Sequence, residues 1–212
     1  MKTKILTAIT VFICLTQLLS GQVTDVEKTL RTQKADTTQG WKKGGIFNIN
    51  MAQTSLKNWA AGGQNSVAVG AIFSGYANLV KGKSQWDNSL DIGYGLLKQG
   101  KEDFRKTDDK FDFSSKYGKE AFKNFYYSAL LNFKTQMSPG YNLPSKKTIS
   151  DFFSPAYLTI ALGLDYKPNA HFSAFVAPVT GKFTFVTNDS LSNEGAFGVT
   201  PGSTTKSEFG GY

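Results

Sequence analysis

The sequence is poor in the residues that build disulfides, thiol chemistry and histidine-based sites. Among 212 residues it has one cysteine, Cys14, and one histidine, His171. A disulfide within a chain needs two cysteines, and zinc-type centres are built from clusters of Cys and His. The composition therefore excludes an intrachain disulfide and a Cys/His metal cluster. We expect no metal ion and no cofactor.

Long hydrophobic runs are missing after the amino-terminal segment. Lys2 and Lys4 precede an apolar stretch from Ile5 to Leu19, and the small residues Ser20 and Gly21 follow. This order is typical of a cleaved secretory signal. We predict a signal peptide over residues 1–21 and a polar, flexible periplasmic segment over residues 22–40. With no later helix to span a lipid bilayer, an exported chain enters a membrane only as a closed β-barrel, because unpaired strand edges are too costly in lipid.

Residues 155–166, PAYLTIALGLDY, carry the clearest pattern in the chain. Successive side chains of a strand point to opposite faces of the sheet. One face of this segment is wholly apolar and consists of Ala156, Leu158, Ile160, Leu162, Leu164 and Tyr166. The other face is mostly small or polar and consists of Pro155, Tyr157, Thr159, Ala161, Gly163 and Asp165. The pattern predicts a strand with an apolar face toward lipid.

Similar alternation predicts six further strands, over residues 41–50, 66–80, 85–97, 111–114, 124–136 and 171–187. A strand that crosses lipid needs about 9–11 residues, and most of these segments reach that length. Pro178 and Gly181 interrupt the last segment, which we interpret as one strand with a bulge. A short helical turn is predicted near residues 54–62. The predicted fold class is all-β: an antiparallel up-and-down transmembrane β-barrel over residues 41–212.

The connections between the predicted strands alternate between short and long. Bacterial outer-membrane barrels have short periplasmic turns and long extracellular loops, and they usually close with an even number of strands. Seven strands are predicted and no clear eighth follows them. We therefore expect an incomplete barrel in a chain that is truncated at its carboxyl end. The first and seventh strands are expected to be unpaired on their outer sides.

Three stretches carry a resemblance to a known family. They are FNINMAQTSLKNWAAGGQNS, FFSPAYLTIALGLDYKPN and PVTGKFTF. Together they resemble a Bacteroidetes family of outer-membrane proteins that is described only as a domain of unknown function. The resemblance runs from about Trp41 to the end of the chain. It implies a signal-bearing β-barrel and brings no enzyme activity or cofactor.

Two groups of residues are candidates for a functional role. Asp87, Asp91 and Asp165 would point into the lumen of the barrel and could pair with Lys134. Charge inside a membrane protein is usually paired or functional, so this group is either structural or part of an ion or solute pathway. The second group is Trp59, Gly62 and Gly63 in the first long loop, where Trp59 either contacts a ligand or plug, or anchors the loop at the membrane interface.

Three functional classes remain open from the sequence. The first is a non-enzymatic outer-membrane pore or envelope scaffold. The second is a lipid-modifying enzyme, in which His171 would act with Ser173 or Ser154. The third is a soluble periplasmic lipid-binding barrel. Removal of Lys2 and Lys4 with the signal peptide lowers the formal net charge from +8 to +6, which suits either a solvated surface or contact with anionic lipid head groups. Expected partners are outer-membrane lipid and unidentified envelope proteins, and no nucleic-acid-binding motif is present.

Overall fold

A computed structural model describes residues 39–57, 63–142, 145–169 and 172–211, all within the unit formed by residues 34–212. These ranges contain ten strands and two short helical segments. The strands are β1 (Gly40–Thr54), β2 (Ser66–Lys81), β3 (Ser84–Gln99), β4 (Arg105–Phe122), β5 (Phe125–Thr135), β6 (Gly140–Asn142), β7 (Lys147–Ser150), β8 (Ala156–Asn169), β9 (Phe172–Phe185) and β10 (Thr205–Gly210). The helical segments are α1 (Asp189–Asn193) and a 3-10 turn at Ala196–Gly198.

Eight of the strands form one antiparallel sheet. Its order is β1-β2-β3-β4-β5-β8-β9-β10, and β6 pairs with β7 in a separate hairpin between β5 and β8. Strands that follow one another along the chain are therefore neighbours in the main sheet, which confirms the predicted all-β, up-and-down architecture. In the described ranges β1 and β10 do not pair with each other. A closed transmembrane barrel stays a prediction.

Two strand predictions are wrong, and both errors concern weak alternation. The predicted short strand at 111–114 is part of β4, which has 18 residues. The predicted total of seven also omitted the short strands β6 and β7, as well as β10, which pairs with β9 from Thr205↔Phe185 to Gly210↔Thr180. The expectation that the seventh predicted strand is unpaired on its outer side is therefore wrong for this part of β9. β4 and β10 are both rich in polar residues. Pairing with a neighbouring strand stabilises them as strands.

The predicted bulge in the seventh predicted strand is confirmed. β9 is continuous across Pro178 and Gly181, and the register against β8 shifts between the pairs Leu162↔Val179 and Leu164↔Val176. Gly163 lies opposite this shift. A Cβ atom at Gly163 would lie 2.0 Å from the carbonyl oxygen of Val176, so the close approach of the two backbones requires glycine.

The two ends of the sheet differ in the length of the connections between strands. The short turns at 82–83 and 123–124 lie at one end, here called the short-turn end. Longer connections at 55–65, 100–104, 136–155 and 186–204 lie at the other, the long-loop end. This alternation agrees with the prediction. The predicted helical turn is absent from residues 54–57, because Thr54 belongs to β1 and the next three residues are not helical; residues 58–62 lie outside the described ranges.

The connection after β9 forms a small ordered unit of its own. Val186, Leu191 and Val199 are buried together in it. The side chain of Asn188 caps α1 by accepting from the amide of Leu191 at 3.2 Å, and its amide nitrogen donates to Asp151 at 2.8 Å. The hydrogen bond between Asn188 and Asp151 thus links the β9–β10 connection to the β5–β8 connection. No helix in the described ranges is long and apolar enough to cross a membrane.

Candidate functional site

Burial along the central strands is the reverse of that in a soluble sheet. In β5 the buried side chains are Ser128, Leu130 and Asn132, whereas Tyr127 and Leu131 are exposed. In β8, Asp165 is buried and Leu162 is 52% exposed. We call the face with the exposed apolar side chains the outward face; its members include Trp41, Phe73, Trp86, Tyr127, Leu131, Leu162, Val176 and Val179. The inward face carries buried polar side chains, including Ser89, Asp112, Ser114, Asn132, Asp165 and Thr184.

Aromatic rings on the outward face gather near both ends of the sheet. At the short-turn end, the ring centroids of Trp41 and Trp86 lie 5.9 Å apart and those of Phe125 and Tyr166 lie 4.5 Å apart. At the long-loop end the corresponding pairs are Phe111–Phe133 at 6.1 Å, Phe133–Phe153 at 5.5 Å and Phe183–Phe209 at 5.8 Å. Between the two bands the exposed residues are mainly aliphatic, such as Leu131, Leu162 and Val179.

A charged cluster lies on the inward face toward the short-turn end. Asp165 is fully buried and forms ion pairs with Lys116 and with Lys167, the latter at 3.2 Å. The hydroxyl of Ser173 donates to Asp165 at 3.1 Å. The register of the sheet places Asp87 directly opposite Lys116. The negative charges of the two acids therefore balance the positive charges of the two lysines, and the four residues come from β3, β4 and β8.

A second polar group lies further along the inward face. The side-chain amide of Asn132 donates to Asp112 and to Ser114, both at 2.8 Å. Lys134 forms an ion pair with Asp112 at 3.3 Å. Because these groups are buried, the hydrogen bonds offset the cost of removing them from water. The network holds β4 against β5 through side chains as well as through the backbone ladder.

The predicted lumenal acids and lysine share the inward face but do not form one cluster. Asp87 and Asp165 lie with Lys116 and Lys167, as described above. Asp91 accepts a hydrogen bond from Ser74, and Lys134 contacts Asp112 instead of the predicted acids. The sequence analysis missed Lys116, Lys167 and Asp112. Asp112 lies within the predicted strand 111–114, and Lys116, which shares its parity, could have been found had the full length of β4 been predicted.

The other predicted site residues give less information. Trp59 and Gly62 lie outside the described residues, and Gly63 lies in the connection between β1 and β2. His171 is also outside the described ranges. Ser154 accepts from the amide of Asn188 at 2.8 Å, and Ser173 donates to Asp165. Nowhere in the described ranges do three or more His, Cys, Asp or Glu residues form a group that could hold a metal ion.

One ion pair lies outside the strands. Lys146 contacts Asp103 at 2.7 Å and joins the β3–β4 connection to the β6–β7 hairpin. The hydrogen bond from Lys146 lowers the pKa of the Asp103 carboxyl, and the same contact raises the pKa of Lys146. Both groups are well exposed, so solvent screens the interaction and its contribution to stability is small.

Comparison with known proteins gives one family match over part of the chain and no function. Residues 51–141 match the family described as "Protein of unknown function (DUF3078)". The match runs from the end of β1 through β5 into β6 and confirms the resemblance to a family of unknown function. The Bacteroidetes affiliation stays a prediction. No curated protein and no solved structure matches the chain.

Proposed function

We propose that this protein is a non-enzymatic scaffold of a Gram-negative outer membrane, inserted as a β-barrel with its outward face in lipid. The observation that carries the proposal is the reversed burial pattern. Apolar side chains are exposed along successive strands, whereas Ser, Asn, Asp and Thr side chains are buried on the opposite face. In water such an apolar surface would be costly. In lipid it is the favoured arrangement, with the polar side chains kept inside.

Strand length and aromatic placement support the same proposal. The strands β2, β3, β4, β5, β8 and β9 have 16, 16, 18, 11, 14 and 14 residues, and crossing the hydrocarbon core takes about 9–11. Transmembrane barrels carry aromatic residues at both membrane interfaces with an apolar band between them. The two aromatic bands and the aliphatic residues between them follow that order.

The inward face favours a scaffold over a pore. Asn132, Asp112 and Ser114 bond to one another, and Asp165 pairs with two lysines. These side chains are buried beside β4, β5 and β8, which favours an interior filled by side chains. A barrel of about eight strands has an interior that side chains can fill. A plugged or filled barrel holds its loops at the membrane surface without conducting solutes.

The other two functional classes have less support. A soluble lipid-binding barrel would carry its apolar side chains inside, around the ligand, and here they face outward. A lipid-modifying enzyme would need His171 near a reactive serine. Ser154 and Ser173 each take part in structural hydrogen bonds to Asn188 and Asp165.

The membrane assignment is tested by charge placement on β8. Leu162→Arg puts a cation on the outward face and should cost about 2–4 kcal/mol of folding free energy in lipid vesicles if the site is near the midplane. Thr159→Arg, on the inward face of the same strand, is the matched control and should cost much less. Urea titration of the protein in vesicles measures both. Equal costs would overturn the membrane assignment.

Conductance separates a scaffold from a pore. The purified protein, inserted into a planar lipid bilayer, should give no discrete conductance steps in potassium chloride. Reproducible steps that depend on the protein would show a pore and would contradict the scaffold.

A further inference from the structure

An ion pair lies on the outward side of the sheet near the long-loop end. Tyr94 and Leu96 share the parity of Trp86 in β3 and therefore belong to the outward face. The register pairs Tyr94 with Asp109 and Leu96 with Lys106. Lys106 donates to Asp109 at 2.8 Å, so both charges lie on the side that we assign to lipid. This ion pair is distinct from the two polar groups on the inward face.

The β6–β7 hairpin and the segment before it cover the ion pair. Lys106 donates to the carbonyl of Ser138 at 2.7 Å and to the hydroxyl of Ser150, in β7, at 3.2 Å. Asp109 accepts from the amides of Met137 and Ser138 at 2.7 and 2.9 Å. The side chains of Lys106 and Asp109 are only 14% and 1% exposed. The hairpin is thus held against the outward side of β4 by two charges that it shields.

Strand geometry gives the level of the ion pair relative to the short-turn end. Tyr94 follows Trp86 by eight residues in β3, which is about 27 Å along the strand and about 20 Å along the membrane normal at a tilt of about 40°. The apolar band of an outer-membrane barrel is about 25 Å tall and has aromatic residues at its borders. Because Trp86 marks one border, Tyr94 and the ion pair lie near the other. An uncovered charge that faces lipid at this level is costly, so a covering hairpin is favoured there.

The hairpin and the segments beside it present apolar side chains to their surroundings. Four of these are each more than half exposed, and we call them the collar: Phe104, Tyr141, Ile149 and Phe152. The ring centroid of Phe152 lies 4.8 Å from that of Phe153, which in turn lies 5.5 Å from that of Phe133 on β5. The collar is therefore continuous with the aromatic band of the outward face.

A lysine accompanies the collar on the same face. Lys98 is in register with Val67 of β2 and has the parity of Leu96. Its ammonium group lies 5.5 Å from the ring centroid of Phe104. Aromatic side chains are enriched at membrane interfaces, and lysines there bury their methylene stems while the charge reaches the head groups. Lys98 and Phe104 together have this interfacial character.

We propose that the collar contacts the lipid head-group layer, so that the β6–β7 hairpin sets the border of the lipid-contacting surface at the long-loop end. The proposal rests on the proposed membrane insertion and adds a second kind of lipid contact to it. In water, four exposed large apolar side chains in one region would be costly. Amphipathic segments at a membrane surface bury their apolar side by about 5–10 Å, which removes this cost without placing the hairpin in the hydrocarbon core.

The test is the depth of fluorescent labels in phosphatidylcholine vesicles. In the chain without the predicted signal peptide, which contains the only cysteine, Cys14, single cysteines replace Ile149, Phe152, Leu162 or Ser190, all of them exposed. Each is labelled with the fluorophore NBD, and quenching is compared for nitroxide lipids labelled on the head group or in the middle of the acyl chain, and for iodide in water. Ser190, in the β9–β10 connection, is the control for a water-exposed position at the long-loop end.

The two collar labels should differ from both reference labels. At Ile149 and Phe152 the head-group nitroxide should quench about twofold more strongly than the mid-chain nitroxide, as expected for an interfacial position. At Leu162 the order should be reversed. Iodide should quench strongly at Ser190 and weakly at the two collar positions.

The outcomes separate this proposal from the membrane assignment. Iodide quenching at Ile149 as strong as at Ser190, with Leu162 still quenched by the mid-chain nitroxide, would place the hairpin in water and overturn the proposal while leaving membrane insertion intact. Stronger quenching of Ile149 by the mid-chain than by the head-group nitroxide would place it in the hydrocarbon core and would also overturn it. A label at Leu162 that neither nitroxide lipid quenches would show that membrane insertion itself has failed.

Discussion

Replacing Asp165 with asparagine tests the charged cluster on the inward face. Asp165 is fully buried, and the side chains of its partners Lys116 and Lys167 are 11% and 17% exposed. Asp165→Asn keeps the volume of the side chain and the hydrogen bond from Ser173, but it leaves two nearly buried cations facing Asp87 alone. Removing one partner of a buried ion pair typically costs about 3–5 kcal/mol.

We expect a loss near the lower end of that range, about 3 kcal/mol. Lys167 already donates to Gln85 at 3.1 Å, and the register places Asp87 opposite Lys116, so both cations keep some compensation. The free energy of unfolding is measured by urea titration followed by tryptophan fluorescence, with wild-type and variant in the same lipid or detergent. The exposed carboxyl Asp103, replaced by asparagine, is the control and should give no measurable change.

A second substitution shows whether uncompensated charge is the cause. Adding Lys116→Met to Asp165→Asn removes one of the two excess cations and should restore about 1 kcal/mol or more, within the usual range of coupling between contacting residues. The reasoning fails if Asp165→Asn is as stable as the wild-type protein. It also fails if Lys116→Met lowers stability by the same amount in both backgrounds, because the two residues would then not interact.

Two further predictions concern the β8–β9 bulge and the exposed ion pair. Gly163→Ala should destabilise the protein by about 3 kcal/mol in the same urea titration, since overpacking costs about 1–3 kcal/mol or occasionally more and the added Cβ would meet backbone 2.0 Å away. Gly210→Ala is the control and should be tolerated, because a Cβ there meets nothing within 4 Å. Equal effects of the two changes would contradict the bulge geometry. The Asp103 carboxyl should titrate below its usual value of about 3.9 by NMR, because Lys146 lowers its pKa, and Lys146→Met should return it to that value. Any stability from this pair is fully present above the usual aspartate pKa and is lost as the pH falls through the lowered pKa of Asp103. An Asp103 carboxyl that titrates at its usual pKa in the wild-type protein would contradict the contact.

The strands that could be predicted from the sequence are those in which apolar and polar residues alternate clearly within the strand itself. The segment around Leu162 alternates so regularly that its apolar face is readable without any partner strand. β10 is different, because Lys206 and Glu208 alternate with Ser207 and Phe209 over only six residues. Its strand form depends on pairing with β9, and no local pattern reports that pairing.

The polar contacts were harder to predict than the strands, because each contact depends on how two strands are aligned. Asp165 and Lys134 were predicted to face inward, and they do, but their partners come from strands whose alignment the sequence does not state. Lys116 contacts Asp165 across β5, although the register aligns Lys116 with Leu130 and Leu130 with Ala161, and pairs Asp165 with Tyr126. The ion pair of Lys146 with Asp103 likewise requires the β6–β7 hairpin to lie beside the β3–β4 connection. Contacts between distant segments of this kind follow from the fold and cannot be derived from spacing alone.

The central claim is that the outward face contacts lipid, and spin-label accessibility along β8 tests it most directly. In the chain without the predicted signal peptide, which contains the only cysteine, Cys14, single cysteines are placed at Ile160, Leu162 and Leu164, and a reference cysteine at Lys81 near the short-turn end. Each is spin-labelled after reconstitution into vesicles, and collisions with oxygen, which concentrates in lipid, are compared with collisions with a water-soluble nickel complex. The account predicts high oxygen and low nickel accessibility at the three β8 positions and the reverse at Lys81. Nickel accessibility at Leu162 equal to that at Lys81 would contradict it.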